Sequence, residues 1–530
     1  MSLKFWVSAL ALALALVLVQ GTKRARSSHS QRNSMNKADR KSARRIDRRA
    51  QTDAETRTET KNSMEVIPCA AADQVIPVDN IRTRTFFIVE ECLDEEALRT
   101  ALDQLIRKHW RKLGGRLIRR KDKLLEYHIP KAFDKDYVLF NWSTQEYPHS
   151  IDKIVPAIRS PPLDKGPQFL PPLETLDDHF RPSSWPYHRR DDPPDSPLLY
   201  VHVSLFPDAT VIATSIPHPV VDQMGMANII KACMGIVQGI DPPPFVGYEG
   251  DLLPGQDKAY KDYPTSEVCR TGYQRILRTG EYPLILLPLI PDLILHREER
   301  NLLFLPMQMI RALRDKYSKA LAEMHSDYTR ISDSDVVTAL ITKLSRMSKK
   351  TPRTLCLSQT MNLRGLVPEL SPERSAGFIH NCLHTSTARF RIDPSTPARD
   401  IAYANRKAIE KSRDPRDIEI GMVVEREMVR IRQGSHVCEP FDRSYHVSNW
   451  CAAWNDVDFG PIVKGERKEA GGKPKFLVLG QSGERWSPLR LSALILSKTE
   501  EGYWVQFAAS VPAMKLIKKH LADDPTLENF

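Results

Sequence analysis

The sequence predicts an α/β protein of two domains. Three observations carry this. The chain has 530 residues, more than one hydrophobic core ordinarily serves. Apolar residues at 41% and charged residues at 27% fit a folded, water-facing chain and exclude a wholly disordered or multi-span membrane protein. Segments with helical apolar spacing alternate with short apolar runs bounded by turn residues, the pattern of helices interleaved with strands.

The charge distribution narrows the function classes. Of a formal net charge of +11, residues 1–61 hold +9, from 14 basic and 5 acidic side chains. The body is therefore nearly neutral, which removes the main compositional support for nucleic-acid binding. Eight cysteines lie far apart with no C-x-x-C pair, so neither a zinc module nor a disulfide framework is expected, and no metal site is assigned.

Residues 5–19 are an apolar run interrupted only by Ser8, flanked by Lys4 and, more heavily, by Lys23, Arg24 and Arg26. The heavier positive flank after the run predicts a short membrane anchor over residues 1–21, with the catalytic body on the cytosolic side of the endoplasmic reticulum. The alternative is a cleaved signal peptide, with Val19 and Gly21 before the cut and a lumenal or secreted product. Residues 22–65, polar and basic without a period, read as a disordered linker.

From Val66 the pattern is that of a fold. The spacing of Leu98, Leu102, Leu105 and Ile106 behind an acidic first turn predicts one amphipathic helix over 94–112, ended by Gly114 and Gly115. Residues 116–119 and 124–129 read as two short strands around a polar turn. Residues 156–197 contain 11 prolines and predict a long surface excursion without regular helix. The runs 198–206 and 210–216, separated by Pro207 and Asp208, predict an antiparallel hairpin, followed by a helix over 226–238. Residues 282–295 are strongly apolar but hold three prolines and Asp292, which leaves burial across a domain seam or contact with a membrane surface as readings.

Chemistry enters at His218, set between the predicted strand and the predicted helix, with Asp222 four residues on. An imidazole presented at the end of an apolar strand has a pKa at or below its ordinary value, about 6.5, and is free to accept a proton at neutral pH. Taken alone, His-x-x-x-Asp is frequent, and a structural histidine is the better account of it.

Three further segments change that balance. Met361-Asn362-Leu363-Arg364 follows the histidine, then Ser448-Asn449-Trp450, then Asp456-Val457-Asp458-Phe459-Gly460. From about Val66 to the C-terminus, this ordered set resembles the BAHD acyltransferases, particularly their fungal members, and more broadly the coenzyme A-dependent acyltransferases shaped like chloramphenicol acetyltransferase. That family carries His-x-x-x-Asp-Gly midway, an Asn-x-Arg strand later and Asp-Phe-Gly-Trp-Gly near the end. The helix start at residues 331–339 and the segment Gly502-Tyr503-Trp504-Val505 resemble it too. Two departures stand out: Gln223 and Met224 separate Asp222 from Gly225, and Pro461 and Ile462 replace the Trp-Gly.

The resemblance implies two similar mixed-sheet domains with a channel between them: residues 66–240, a crossover over 241–300, and 301–530. It implies an acyl-CoA-dependent O-acyltransferase acting as a monomer. Acyl-CoA, acetyl-CoA by default, is the co-substrate, and a hydroxylated small molecule such as a terpenoid or polyketide is the acceptor. No cofactor is bound. His218 is the general base, Ser448 donates to the oxyanion, and Trp450 walls the acceptor pocket. Asp222 pairs with Arg364 to hold the loop, and Asp458 is structural. The alternative is an inactive relative kept as a ligand-binding or scaffold protein. Rival motifs fail: Gly480-Gln481-Ser482-Gly483 is followed by Glu484 where a nucleophile elbow needs glycine, and no Walker loop, dinucleotide fingerprint or zincin helix occurs.

Overall fold

A computed structural model describes residues 64–155, 161, 166–349, 351–435, 437–465, 472–483 and 487–530. The first half contains β1 (Met64–Pro68), β2 (Arg82–Val89), α1 (Glu95–Gln104), β3 (Arg116–Arg119), β4 (Leu125–Pro130), β5 (Asn141–Glu146), β6 (Gln168–Leu170), α2 (Leu173–Phe180), β7 (Tyr200–Leu205), β8 (Thr210–Pro217) and α3 (Gln223–Val237). The second contains β9 (Glu298–Pro306), α4 (Met307–Met324), α5 (Asp333–Arg346), β10 (Arg353–Asn362), β11 (Leu383–Ile392), α6 (Ala398–Lys411), α7 (Pro415–Ile431), β12 (Arg443–Asn449), β13 (Phe476–Gln481), β14 (Ser492–Lys498), β15 (Gly502–Ser510) and α8 (Val511–Asp523). Shorter helical turns lie between them.

Two large mixed sheets organise the chain. One runs β13-β2-β8-β7-β5, the other β11-β10-β12-β14-β15-β9-β6, and a small sheet runs β1-β4-β3. The expected α/β architecture with mixed sheets is what the chain adopts. The sheets exchange edge strands. β13 comes from late in the chain yet pairs antiparallel with β2, and β6 comes from early in the chain yet pairs with β9. Pairing with β13 covers an edge of β2 that would otherwise expose unpaired backbone groups.

Residues form these elements for local reasons that the tertiary fold then modifies. Asp94 caps α1 by accepting from the amides of Glu96 and Ala97, as its acidic first turn implies. The predicted single helix over 94–112 is, however, three pieces: α1 stops at Gln104, a π turn covers Leu105–His109, and a 3-10 turn covers Arg111–Gly114. The break serves two tertiary anchors. Trp110 is fully buried and its indole N–H donates to the Pro243 carbonyl. Buried Lys112 donates to the carbonyls of Gly247 and Tyr248.

The proline-rich stretch does hold a helix, contrary to expectation. Prolines at 171, 172 and 182 bracket a proline-free window, and α2 occupies it with Leu173, Leu176 and Phe180 turned inward. The helix expected from Met226 begins at Gln223 instead, because Asp222 caps it. Within 282–295 two short helices form; Ile285 and Leu289 pack inward while Leu287 and Leu295 face solvent.

The expected location in the endoplasmic-reticulum membrane is corrected. Among the described residues no helix is long and apolar enough to cross a membrane. The apolar run over 5–19, on which the anchor and its cleaved-signal alternative both rested, lies outside the described residues, as does the basic linker up to residue 63.

Candidate active site

β8 is buried along all eight residues and pairs with β2 from Thr210 to Pro217. His218 extends that ladder by one rung, donating its amide to the Ile81 carbonyl at 2.9 Å. The chain then turns: Val220 N–H bonds Pro217 O and Val221 N–H bonds His218 O. Asp222 closes the turn as N-cap of α3, accepting from the Gly225 amide at 2.8 Å. A strand end and a helix start thus fix both ends of a four-residue loop.

His218 as a residue is half-buried, and its Nδ1 is buried without a hydrogen-bond partner. Burial lowers its pKa below the ordinary histidine value; the carbonyl of its own residue, Asp222, Asp73 and Asn381 pull in the opposite direction. The imidazole is therefore neutral at pH 7, as a proton acceptor must be.

Asp222 reaches across to the second half of the chain. Arg364 lies just past the end of β10. Its Nη1 donates to Asp222 Oδ2 at 2.8 Å and its Nη2 to Oδ1 at 2.9 Å, with both side chains almost entirely buried. Burial alone would lower the arginine pKa, but Asp222 outweighs it and raises it. The same Arg364 Nη2 donates to the His380 carbonyl, and the Cys382 amide donates to Asp222 Oδ2. Gly225 packs on this segment so closely that a Cβ would stand 2.0 Å from the Ile379 carbonyl oxygen. The displaced glycine thus serves close backbone approach, toward residues 378–382.

The remaining predicted residues fall in two other places. Ser448 lies on β12, partly buried, in register with Leu494 of β14, and no hydrogen bond joins it to His218 among the described residues. Trp450 is buried just past β12 and leans on Gly480 of β13, where a Cβ would meet its ring at 3.1 Å. Gly480 pairs with Thr85 of β2, so Trp450 rests on the sheet that carries His218. Asp458 accepts from the Gly460 amide at 2.8 Å and shapes a local turn. The structure therefore unites His218, Asp222 and Arg364 and leaves Ser448, Trp450 and Asp458 on separate backbone. It adds two residues that no motif flagged: Asn381, which donates to the His218 carbonyl, and Asp73, which holds Asn381. Their separation of 308 positions leaves no sequence signal.

No family model matches the chain. Among similar proteins, acetyltransferase adrJ of Penicillium rubens is 26% identical over 412 residues, covering 73% of this chain and 82% of that protein. A protein of Penicillium decumbens named transcriptional regulator calD is 27% identical over 87% of this chain and 96% of its own length. The structure of F. sporotrichioides TRI101 complexed with coenzyme A and T-2 superposes with a TM-score of 0.62 at 13% identity, covering 87% of this chain and 98% of that one. The chain resembles fungal acetyltransferases in sequence and shares the fold of acyltransferases of the BAHD type. Vinorine synthase shares the fold at a TM-score of 0.51 and 16% identity, covering 86% of this chain and 95% of that one. Within this fold the Asp222–Arg364 pair and the histidine-bearing turn are the chain's own chemistry.

Proposed function

We propose that the chain transfers an acyl group from acyl-CoA to a hydroxyl of a small natural product, with His218 as general base. One observation carries the reading: a neutral imidazole on a half-buried residue sits on a turn locked at both ends and tied by Asp222 to Arg364.

An alcohol is a weak nucleophile while it keeps its proton. His218 takes that proton as the hydroxyl oxygen bonds to the thioester carbonyl carbon, a step for which a general base contributes about 10²–10⁴-fold. The tetrahedral oxyanion then collapses, the carbon–sulfur bond breaks, and the imidazolium returns its proton to the departing thiolate. Holding acceptor and thioester together removes the need for a serine or cysteine nucleophile. Ser448 supplies the oxyanion donor and Trp450 the wall of the acceptor pocket in this scheme. Acetyl-CoA is the default donor, in keeping with relatives named acetyltransferases. A hydroxylated terpenoid or polyketide is the acceptor class, by analogy with a fold neighbour complexed with coenzyme A and T-2 mycotoxin.

The relatives named transcriptional regulators, which include sdnM of Sordaria araneosa, do not change this reading. The near-neutral body after residue 61, with 63 basic and 61 acidic side chains, carries a net charge of only +2 for phosphate contacts. Incubating the purified protein with acetyl-CoA and a panel of hydroxylated terpenoids tests the proposal through thiol release and product mass. Product that disappears in His218→Ala supports it. Tight acceptor binding without thiol release points instead to a binding protein.

A further inference from the structure

The turn that carries His218 is held from a second side, independently of Arg364. Asp73, 1% exposed, lies in a 3-10 turn between β1 and β2. Its Oδ1 accepts two hydrogen bonds from Asn381, from the backbone amide at 3.0 Å and from Nδ2 at 2.8 Å. The same Nδ2 donates to the His218 carbonyl at 2.9 Å. These contacts fix the orientation of the amide, because rotating it would set its oxygen against a carboxylate and a carbonyl.

With Nδ2 engaged by two acceptors, Asn381 has only Oδ1 left to offer. That oxygen is buried without a partner, and so is Nδ1 of His218, an atom of complementary character in the neighbouring turn. Behind Asp73, His380 Nδ1 stands 3.3 Å from Oδ2, and Lys112 Nζ stands 3.1 Å from His380 Nε2. A cavity of only about 10 Å³ opens on this group, so water competes little for its polar atoms.

We propose that Asn381, locked by the buried carboxylate of Asp73, is a positioning residue for the general base. It holds the His218 carbonyl through Nδ2 and offers Oδ1 to the proton on Nδ1, which leaves Nε2 as the basic nitrogen. The inference rests on the reading of His218 as the base. Charged and titratable groups around the turn are Asp222 and Arg364 on one side, Asp73, with His380 and Lys112 behind it, on the other, and Tyr127, whose hydroxyl donates to the Pro219 carbonyl. Burial, reinforced by Lys112, lowers the His380 pKa, so this ring is neutral at pH 7. Asp73 favours the protonated form of His218.

Two variants test the proposal in the full chain. In Asn381→Ala, kcat falls on the order of 10–100-fold with the KM for acetyl-CoA unchanged, since misplacing a reacting group costs rate rather than donor binding. In Asp73→Asn, the acid limb of kcat/KM moves to lower pH, because a charge that raised the base's pKa is gone. A merely structural role lowers the melting temperature and leaves both readouts per folded molecule in place. An unchanged kcat in folded Asn381→Ala overturns the inference. Where that variant does not fold, an unshifted acid limb in Asp73→Asn does so. Turnover that survives His218→Ala is a different result and sinks the reading of the base itself.

Discussion

Asp222 and Arg364, 142 residues apart, meet through two hydrogen bonds of 2.8 and 2.9 Å in a site closed to water. The planar guanidinium matches both carboxylate oxygens at once. A single contact therefore ties the His218 turn to the strand end beyond β10. Removing either partner leaves the other charge buried and alone, so Arg364→Ala or Asp222→Ala loses about 3–5 kcal/mol of stability in denaturant unfolding. Arg364→Lys keeps the charge but not the fork, and recovers only part of that loss. Unfolding midpoints that match the unsubstituted chain in both alanine variants rule the clamp out.

Close backbone approach gives a sharper contrast. A Cβ on Gly225 would stand 2.0 Å from the Ile379 carbonyl oxygen, whereas a Cβ on Gly483 meets nothing within 4 Å among the described residues. Gly225→Ala thus costs at least about 1–3 kcal/mol through overpacking and backbone shift. Gly483→Ala leaves the melting curve in place. Equal effects from the two substitutions contradict the packing described for residues 378–382.

The pH dependence of turnover follows from the environment of His218. In the proposed role of general base the unprotonated ring is the active form, and burial holds its pKa below the ordinary value of 6.5. Activity therefore stays level as pH drops to about 6.5 and declines only below it. An acid limb centred above that value in kcat/KM of the free enzyme refutes the assignment.

Glu425 on α7 supplies a stability prediction remote from the turn. Burial first, then Asp251, pushes its pKa up to about 8, with Arg426 opposing. An unfolded glutamate titrates near 4.3, so between these two values the folded chain binds more protons than the unfolded one. Its stability contribution is complete below the lower value and is lost as pH rises through the upper one. Glu425→Gln removes that decline. Melting temperatures of the variant and the unsubstituted chain diverge in the variant's favour from pH 5 to 9; parallel curves count against the burial.

Periodicity and local chemistry determine what a few neighbouring residues can settle among themselves. The apolar runs of β7 and β8, the Asp94 cap and the imidazole at a strand end are all of that kind and are legible in the sequence, as is the order of His218, Arg364 and Ser448. The breaking of the predicted helix at Trp110 is not, because the cause is a carbonyl 133 positions away. Nor is the exchange of β6 and β13 between sheets, since a strand's pattern says which face is buried but not which neighbour it joins. The helix α2 was hidden by its flanking prolines, although its own residues carry the period. Asn381 and Asp73 belong to the last class. An amide and a carboxylate are ordinary side chains anywhere in a sequence, and they become parts of the site only because burial leaves each no better partner than the other.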